Sequence, residues 1–323
     1  MKIVASFGIK IKRSVCFFLL LLTLNSQLST RNSYAAFSSS DRGTSGAQFL
    51  KFGVGARSLA MGEAASAASD DAFSVYWNPA ALADIPGTSF GFMHGLYVED
   101  IAYGYGALSH SLGGLGTLGA GFKNFSWGDI PQTDETGSTI GEFTPQDLEA
   151  TVSLGRSIGG GIFGLLKDFS WGMSARYIRS TISHSGQAWA ADFGLRSSAV
   201  KLGQGDFRWA FVAQNVGTGI RLDETLNPLP LTLRLGSLWR PHLLWGAAAD
   251  VVFPRDNQPY WALGIERLIE LGPQWRSSLR SNHWALSHKR DHLASQRPET
   301  PPKNFKLKEI RWVCPKAPKG IQA

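Results

Sequence analysis

Residues 169–177 read Phe169-Ser170-Trp171-Gly172-Met173-Ser174-Ala175-Arg176-Tyr177, with apolar side chains at the odd positions and small or polar ones between. Successive side chains of a strand point to opposite faces, so an alternation of this length specifies a β-strand with two unlike faces. The same period runs outward in both directions. Upstream it orders Ile101, Tyr103, Tyr105 and Ala107 around small residues. Downstream it orders Trp189, Ala191, Phe193 and Leu195, then Phe207, Trp209, Phe211 and Ala213, then Leu231, Leu233 and Leu235, then Trp245, Ala247, Ala249, Val251 and Phe253.

The pattern predicts ten strands, at about 88–97, 100–111, 115–127, 145–159, 165–182, 186–197, 206–216, 230–239, 243–253 and 259–270. Most are separated by short turns rich in Gly, Asp, Asn or Pro, as an up-and-down meander requires. The connections Asp129–Glu142 and Arg221–Pro230 are longer, acidic, and expected to be flexible loops in solvent.

Strands of this length match the ~9–11 residues that cross a bilayer at a tilt. Aromatic residues near predicted strand ends (Tyr97, Phe125, Trp127, Phe169, Trp171, Trp239, Trp261) fit interfacial girdles. The faces rich in Gly, Ala and Ser fit a wet lumen. The fold predicted is therefore all-β, an antiparallel up-and-down transmembrane barrel. Trp171, Met173, Trp209, Phe211 and Ala249 are expected to face lipid. Ser174 and Gly246 are expected to face the lumen, where an added Arg is milder. A secreted soluble β-sandwich acting as a binding module shares the same pattern.

Charge is unevenly placed. Residues 1–35 carry five basic and no acidic side chains, and residues 273–323 carry eleven basic against three acidic. The 237 residues between hold 16 basic and 22 acidic side chains, a net of −6. The basic pI of the whole chain thus does not describe the part that folds, and no nucleic-acid partner is expected.

The first 35 residues read as a signal peptide: a basic stretch ending at Lys12-Arg13, an apolar core from Val15 to Leu24, and Ser33 and Ala35 at signal-peptidase spacing, with cleavage after Ala35. Cys16 leaves with that segment, so Cys314 has no partner for an internal disulfide. Residues 36–50 are small and polar and are expected to be mobile. Residues 57–70 are Ala-rich and are expected to form a short helix. Asn78-Pro79 reads as a helix start, because Asn caps well and Pro at the first helical position has no N–H to leave unpaired.

Gly55 to Ile85, GARSLAMGEAASAASDDAFSVYWNPAALADI, resembles the start of the PorV/PorQ family of outer-membrane proteins. The matching pieces are Gly55-Ala56-Arg57, Ala60-Met61-Gly62, Asp70-Asp71-Ala72 and Trp77-Asn78-Pro79-Ala80. That family is similar in fold to FadL-type fatty-acid transport barrels. The resemblance implies about fourteen strands with the N-terminal segment tucked inside. It implies an outer-membrane protein that either docks exported proteins and secretion-system components or passes hydrophobic small molecules.

The expected division is a signal peptide at 1–35, a luminal segment with the Asn-Pro-Ala motif at 36–87, barrel strands at 88–272 and a basic atypical tail at 273–323. Alternation stops after Leu271-Gly272, and further strands ending in an aromatic residue, as the family has them, are missing. A shifted reading frame near 272–276 accounts for this, as does a divergent extension, and the tail is expected to be disordered.

No motif points to catalysis or a cofactor. Gly114–Gly119 and Gly159–Gly164 match G-x-G-x-x-G, but both precede strands rather than helices, so neither makes a dinucleotide site. No G-x-S-x-G is present. The seven histidines include one H-x-x-x-H pair, His288 and His292, with no third ligand. Asp70-Asp71 could hold a cation or serve as turn chemistry. Arg176, Arg179, Asp192, Arg196 and Arg208 lie on or beside small/polar faces and read as lumen lining. With Asn78 and Pro79, the candidate site residues are therefore Asp70, Asp71, Arg176, Asp192 and Arg196.

Overall fold

The computed structural model describes residues 37–38, 41–97, 101–159, 168–182, 185–222, 224–242, 244–270 and 276–284. The signal peptide, its cleavage site, both cysteines, His184, His288 and His292 and the residues after Trp284 lie outside the described residues.

One antiparallel sheet of twelve strands contains the short strand Val200–Leu202, which pairs with Gly205–Phe207, and eleven strands along its main path: β1 Thr88–Leu96, β2 Ala102–Ser111, β3 Thr117–Ser126, β4 Gln146–Ile158, β5 Phe169–Thr181, β6 Ser185–Ser197, β7 Gly205–Gly217, β8 Thr232–His242, β9 Trp245–Pro254, β10 Tyr260–Glu270 and β11 Arg276–Trp284. Each of the eleven pairs with the next. The ten predicted strands correspond to β1–β10 within a few residues.

Three expectations are corrected. Arg276–Trp284 extends the sheet by pairing along β10, although its sequence lacks apolar alternation; backbone pairing with an existing edge suffices to define a strand. The connection at 129–142 contains a hairpin, Ile130–Thr133 with Thr139–Phe143. The Arg221–Pro230 connection begins with two-residue strands, Ile220–Arg221 and Leu226–Asn227.

The sheet curls without closing: among the described residues β1 and β11 each pair on one side only. Gly55 N–H donates to Met93 Sδ on β1, and the Arg57 guanidinium binds Glu266 on β10. Residues 55 and 57 are at most about 7 Å apart. A flat sheet would separate β1 from β10 by roughly 43 Å. The strands must wrap around the N-terminal segment to reach it from both ends.

That segment is compact, contrary to the expectation for residues 36–50. Ala47, Phe49 and Leu50 pack with Tyr103, Phe125, Ile178 and Ile220. A 3-10 turn at Gln48–Lys51 leads to α1, Ala56–Ala60, much shorter than the expected 57–70. Gly55 opens α1 at φ 82°, a conformation that favours glycine. The chain then makes α2, Ser74–Trp77, and a 3-10 helix, Pro79–Asp84.

Strand faces follow the pleat. Phe90, Val152, Met173, Trp189, Leu235 and Ile265 point outward and are exposed, whereas Ser174, Arg176 and Asp192 point inward and are buried. The inward face is not a wet lumen, however. Ser174 is buried and bonds Ser153 across the β4–β5 pair, so an Arg there meets packed protein rather than water.

Three aromatic residues of β2 and β3 also face inward, whereas Phe122 of β3 is exposed. Tyr103, Tyr105 and Phe125 are buried, and Phe125 and Trp127 pack with Phe52 around the segment instead of forming a girdle. A period of two distinguishes the faces but does not say which one meets protein when both neighbours of the wall are apolar.

Candidate functional site

The site is the contact between the N-terminal segment and the inward face of the wall. It starts with glycines. Gly155, Gly172 and Gly194 lie level with one another across β4, β5 and β6. A Cβ on Gly155 would stand 2.5 Å from Pro79 O, and one on Gly172 would meet the Pro79 and Ala80 backbone. The row is a trough that admits backbone where side chains would block it. The Asn-Pro-Ala turn lies in it.

Asn78 fixes the turn from within. Its Oδ1 accepts from Ala80 N–H at 2.9 Å and its Nδ2 donates to Ser66 O at 2.7 Å. Pro79 occupies the first position of the 3-10 helix, as the sequence predicts. Leu82, on the same helix, packs with Val75 and Ile85.

Beside the trough the wall is charged and dry. Arg176 on β5 donates from Nη1 to Glu149 Oε1 at 2.6 Å and from Nε to Asp192 Oδ2 at 2.6 Å. Its Nη2 donates to Tyr76 O at 3.3 Å. Lys123 on β3 donates to Phe52 O at 2.8 Å and lies 4.2 Å from the Tyr76 ring centroid. Glu149 thus faces both cations, with Lys123 Nζ at 3.9 Å from Oε2. Paired charges with several hydrogen bonds are the arrangement that makes burial tolerable.

A bulge in β7 supplies two further contacts. The register shifts between Ala213 and Val216, and Asn215 adopts φ 61° there. Adjacent residues Gln214 and Asn215 are consequently both buried, which straight alternation forbids. Gln214 donates to Tyr76 O at 2.7 Å, and Asn215 N–H donates to Asp192 Oδ1 at 2.8 Å.

The other candidates anchor the segment elsewhere. Arg196 donates to Ser69 O at 2.6 Å and to Asp84 Oδ2 at 2.5 Å. Asp70 receives Arg57 at 2.5 Å and Arg240 at 3.4 Å. Asp71 accepts from Phe73 N–H at 3.0 Å, the turn chemistry weighed for it in the sequence. Arg208 stands 3.8 Å from Asp84, whereas Arg179 is exposed on the outer face and does not line the interior.

Arg176, Asp192, Asn78 and Pro79 are therefore brought together. Asp70 and Arg196 sit on the same segment–wall contact but away from Tyr76. Lys123, Glu149, Gln214, Arg234 and Asp250 were not singled out from sequence. Their signal was a charged or amide side chain at an inward register position of a strand.

Arg234 on β8 lies 4.9 Å from the Trp77 ring centroid and donates to Glu63 O at 3.0 Å. Asp250 on β9 accepts from Ser66 N–H and hydroxyl. Burial drives the Glu63 carboxyl above its ordinary range, against the pull of Arg234 and Lys123. At the turn after β9, burial of Asp256 is outweighed by Gln48 and Lys51, which hold its carboxyl below the ordinary range.

Among the described residues no cluster of three His, Cys, Asp or Glu side chains could hold a metal ion, and no helix is long and apolar enough to cross a membrane. Gly114–Gly119 runs through a short 3-10 turn straight into β3, so no helix follows it to receive a pyrophosphate. Of the second glycine motif only Gly159 is among the described residues. What the arrangement does chemically is hold a segment in place.

A family model described as type IX secretion system protein PorV matches residues 38–269. The match spans the segment, the trough and nearly all of β1–β10. No curated protein matches the chain.

Proposed function

We propose that this chain, which belongs to the PorV family of type IX secretion system proteins, is a non-catalytic outer-membrane component that docks exported proteins or secretion partners. The observation that carries this reading is the filled interior. Tyr76, Trp77 and Asn78 are buried inside the wall, and Arg176, ion-paired with Glu149 and Asp192, reaches the Tyr76 carbonyl. A conduit for hydrophobic solutes needs an apolar path, and these charges occupy the place where it would run. The wall itself reads as a lipid-facing surface, because large apolar side chains cover its outward positions.

The two longest connections, 127–145 and 218–231, leave the same end of the wall, as do the turns after β1, β5 and β9. In outer-membrane barrels the longer loops face outward. The Ile130–Phe143 hairpin would then be presented at the cell exterior as part of the docking surface.

Deleting the encoding gene tests the reading. Exported proteins should fail to reach the cell surface, while uptake of fatty acids and similar apolar solutes stays unchanged. The opposite result would establish the FadL-like channel instead. Recovery of the protein from the periplasm without detergent would establish a soluble β-sandwich.

A further inference from the structure

The outward face of β8–β10 carries a cation that its protein neighbours do not neutralise. Arg267 on β10 is exposed. Among the described residues its guanidinium meets the Trp245 ring, 5.2 Å from the centroid, and no carboxylate. We propose that this place binds the phosphate of an anionic phospholipid, with an acyl chain lying along β9. The proposal rests on the reading of the wall as lipid-facing.

Register builds the headgroup site. His242, Trp245 and Arg267 lie level across β8, β9 and β10, at the end opposite the two long connections. Leu268 N–H donates to Leu244 O at 2.8 Å, which ties the β8–β9 turn to β10 beneath them. A guanidinium on a lipid-facing strand is costly at the bilayer midplane and tolerated near the interface, where phosphate oxygens accept its N–H groups. Indole and guanidinium both join an apolar body to a polar tip, which suits that same level.

Toward the middle of the wall the outward residues of β9 are Ala247 and Ala249. They are flanked by Trp239 and Ser237 on β8 and by Ile265 and Leu263 on β10. Trp239, Ile265 and Leu263 are exposed, so the alanine methyls floor a furrow between taller side chains. From Trp245 to Ala249 it runs about 14 Å, and it begins at the cation. A positive charge at the head of an apolar furrow matches an amphiphile with a phosphate at one end. Charge also selects the headgroup. Among the described residues the outward positions of these strands hold no carboxylate, since Asp250 and Glu266 are buried on the inward face. A headgroup ammonium would find no counter-ion there.

Arg156 on β4 supplies an internal control. It is exposed at the same end and level with Trp171, but the next level holds Leu154 and Met173 instead of alanine. It has the cation and the ring without the furrow.

The test titrates the full chain in detergent micelles with palmitoyl-oleoyl phosphatidylglycerol, the matching phosphatidylethanolamine and the matching diacylglycerol. Native mass spectrometry reads lipid retention, and a melting temperature near the parent's shows that each variant is folded. Phosphatidylglycerol should be held about tenfold more tightly than phosphatidylethanolamine, the increment expected of one charge-assisted hydrogen bond, and diacylglycerol least. Arg267→Gln should abolish that preference, and Arg267→Lys should retain it in part. Ala247→Leu should weaken both phospholipids alike by filling the furrow. Arg156→Gln should leave phosphatidylglycerol retention within about twofold of the parent. Equal retention of the three lipids would overturn the proposal. So would equal losses from Arg267→Gln and Arg156→Gln, which would show general attraction of lipid to surface charge. Insertion into liposomes without a phosphatidylglycerol preference would overturn this site alone, whereas failure to insert would overturn the lipid-facing reading beneath it.

Discussion

Two sectors of the wall meet the same residue, Tyr76, with opposite chemistry. Strands β2 and β3 present Tyr105 in an edge contact with its ring, and the neighbouring Tyr103 and Phe125 stack at a centroid distance of 5.9 Å. Strands β4–β6 present Glu149, Arg176 and Asp192, with Arg176 reaching the Tyr76 carbonyl. One side holds the ring, through apolar area and the Lys123 cation over its face; the other holds the backbone through charge-assisted hydrogen bonds. Apolar contact is tolerant of small displacements, whereas hydrogen bonds to a buried guanidinium require a defined position. The first sector contributes burial and the second fixes where along the wall the segment stops.

Breaking the charged sector should have the largest effect. Arg176→Ala leaves Glu149 and Asp192 buried without their main counter-ion, and a loss of about 3–5 kcal/mol is expected in denaturant unfolding of the refolded protein. The aromatic sector should come next. Phe125→Ala is expected to cost about 3 kcal/mol through lost burial and the cavity left behind. Limited proteolysis sharpens the contrast: Arg176→Ala should expose the segment around Tyr76 to cleavage, while Phe125→Ala should loosen the end near Phe52. Identical cleavage patterns would show that the sectors act as one.

The outward face provides the control for both. Met173→Arg, on the same strand as Arg176, should cost roughly 2–3 kcal/mol in a bilayer, because a charge meets hydrocarbon there. In detergent-free water a soluble sandwich would tolerate it, so a null effect in liposomes would count against the lipid-facing assignment. Gly155→Ala is expected to cost about 1–2 kcal/mol, since the new methyl meets Pro79 O and neither backbone can yield freely. The smallest effect should be a pH dependence at Asp256. Its folded-state carboxyl is held below the ordinary value, so its contribution is complete at neutral pH and disappears as the pH falls through that depressed value. Lys51→Met should flatten that acid limb of the unfolding curve without changing the neutral-pH topology.

Much of the wall was legible in the chain. The alternations around Trp171, Trp189, Phe211 and Ala247 placed ten strands, because a period of two over seven or more residues has no helical counterpart. The Asn78-Pro79 turn was legible for a local reason: capping and the missing proline N–H are properties of neighbouring residues. Strand β11 was not legible, since Arg276–Trp284 forms its strand by pairing with β10 and carries no alternation of its own. The compact fold of residues 45–50 was equally hidden. Their small and polar composition says nothing of Phe49 and Leu50 finding Tyr103 and Ile178 more than fifty residues away.

The sequence by itself determined the strands, their two unlike faces and the turn at Asn78. Those follow from backbone geometry and nearest neighbours. Only the tertiary structure decided which face of β2 turns inward, that Gly155, Gly172 and Gly194 align into a trough, and that a bulge at Asn215 brings Gln214 to the Tyr76 carbonyl. Each depends on cross-strand register and on what fills the interior. Side-chain alternation has the same period whichever side the N-terminal segment occupies, so the choice is made by packing against that segment.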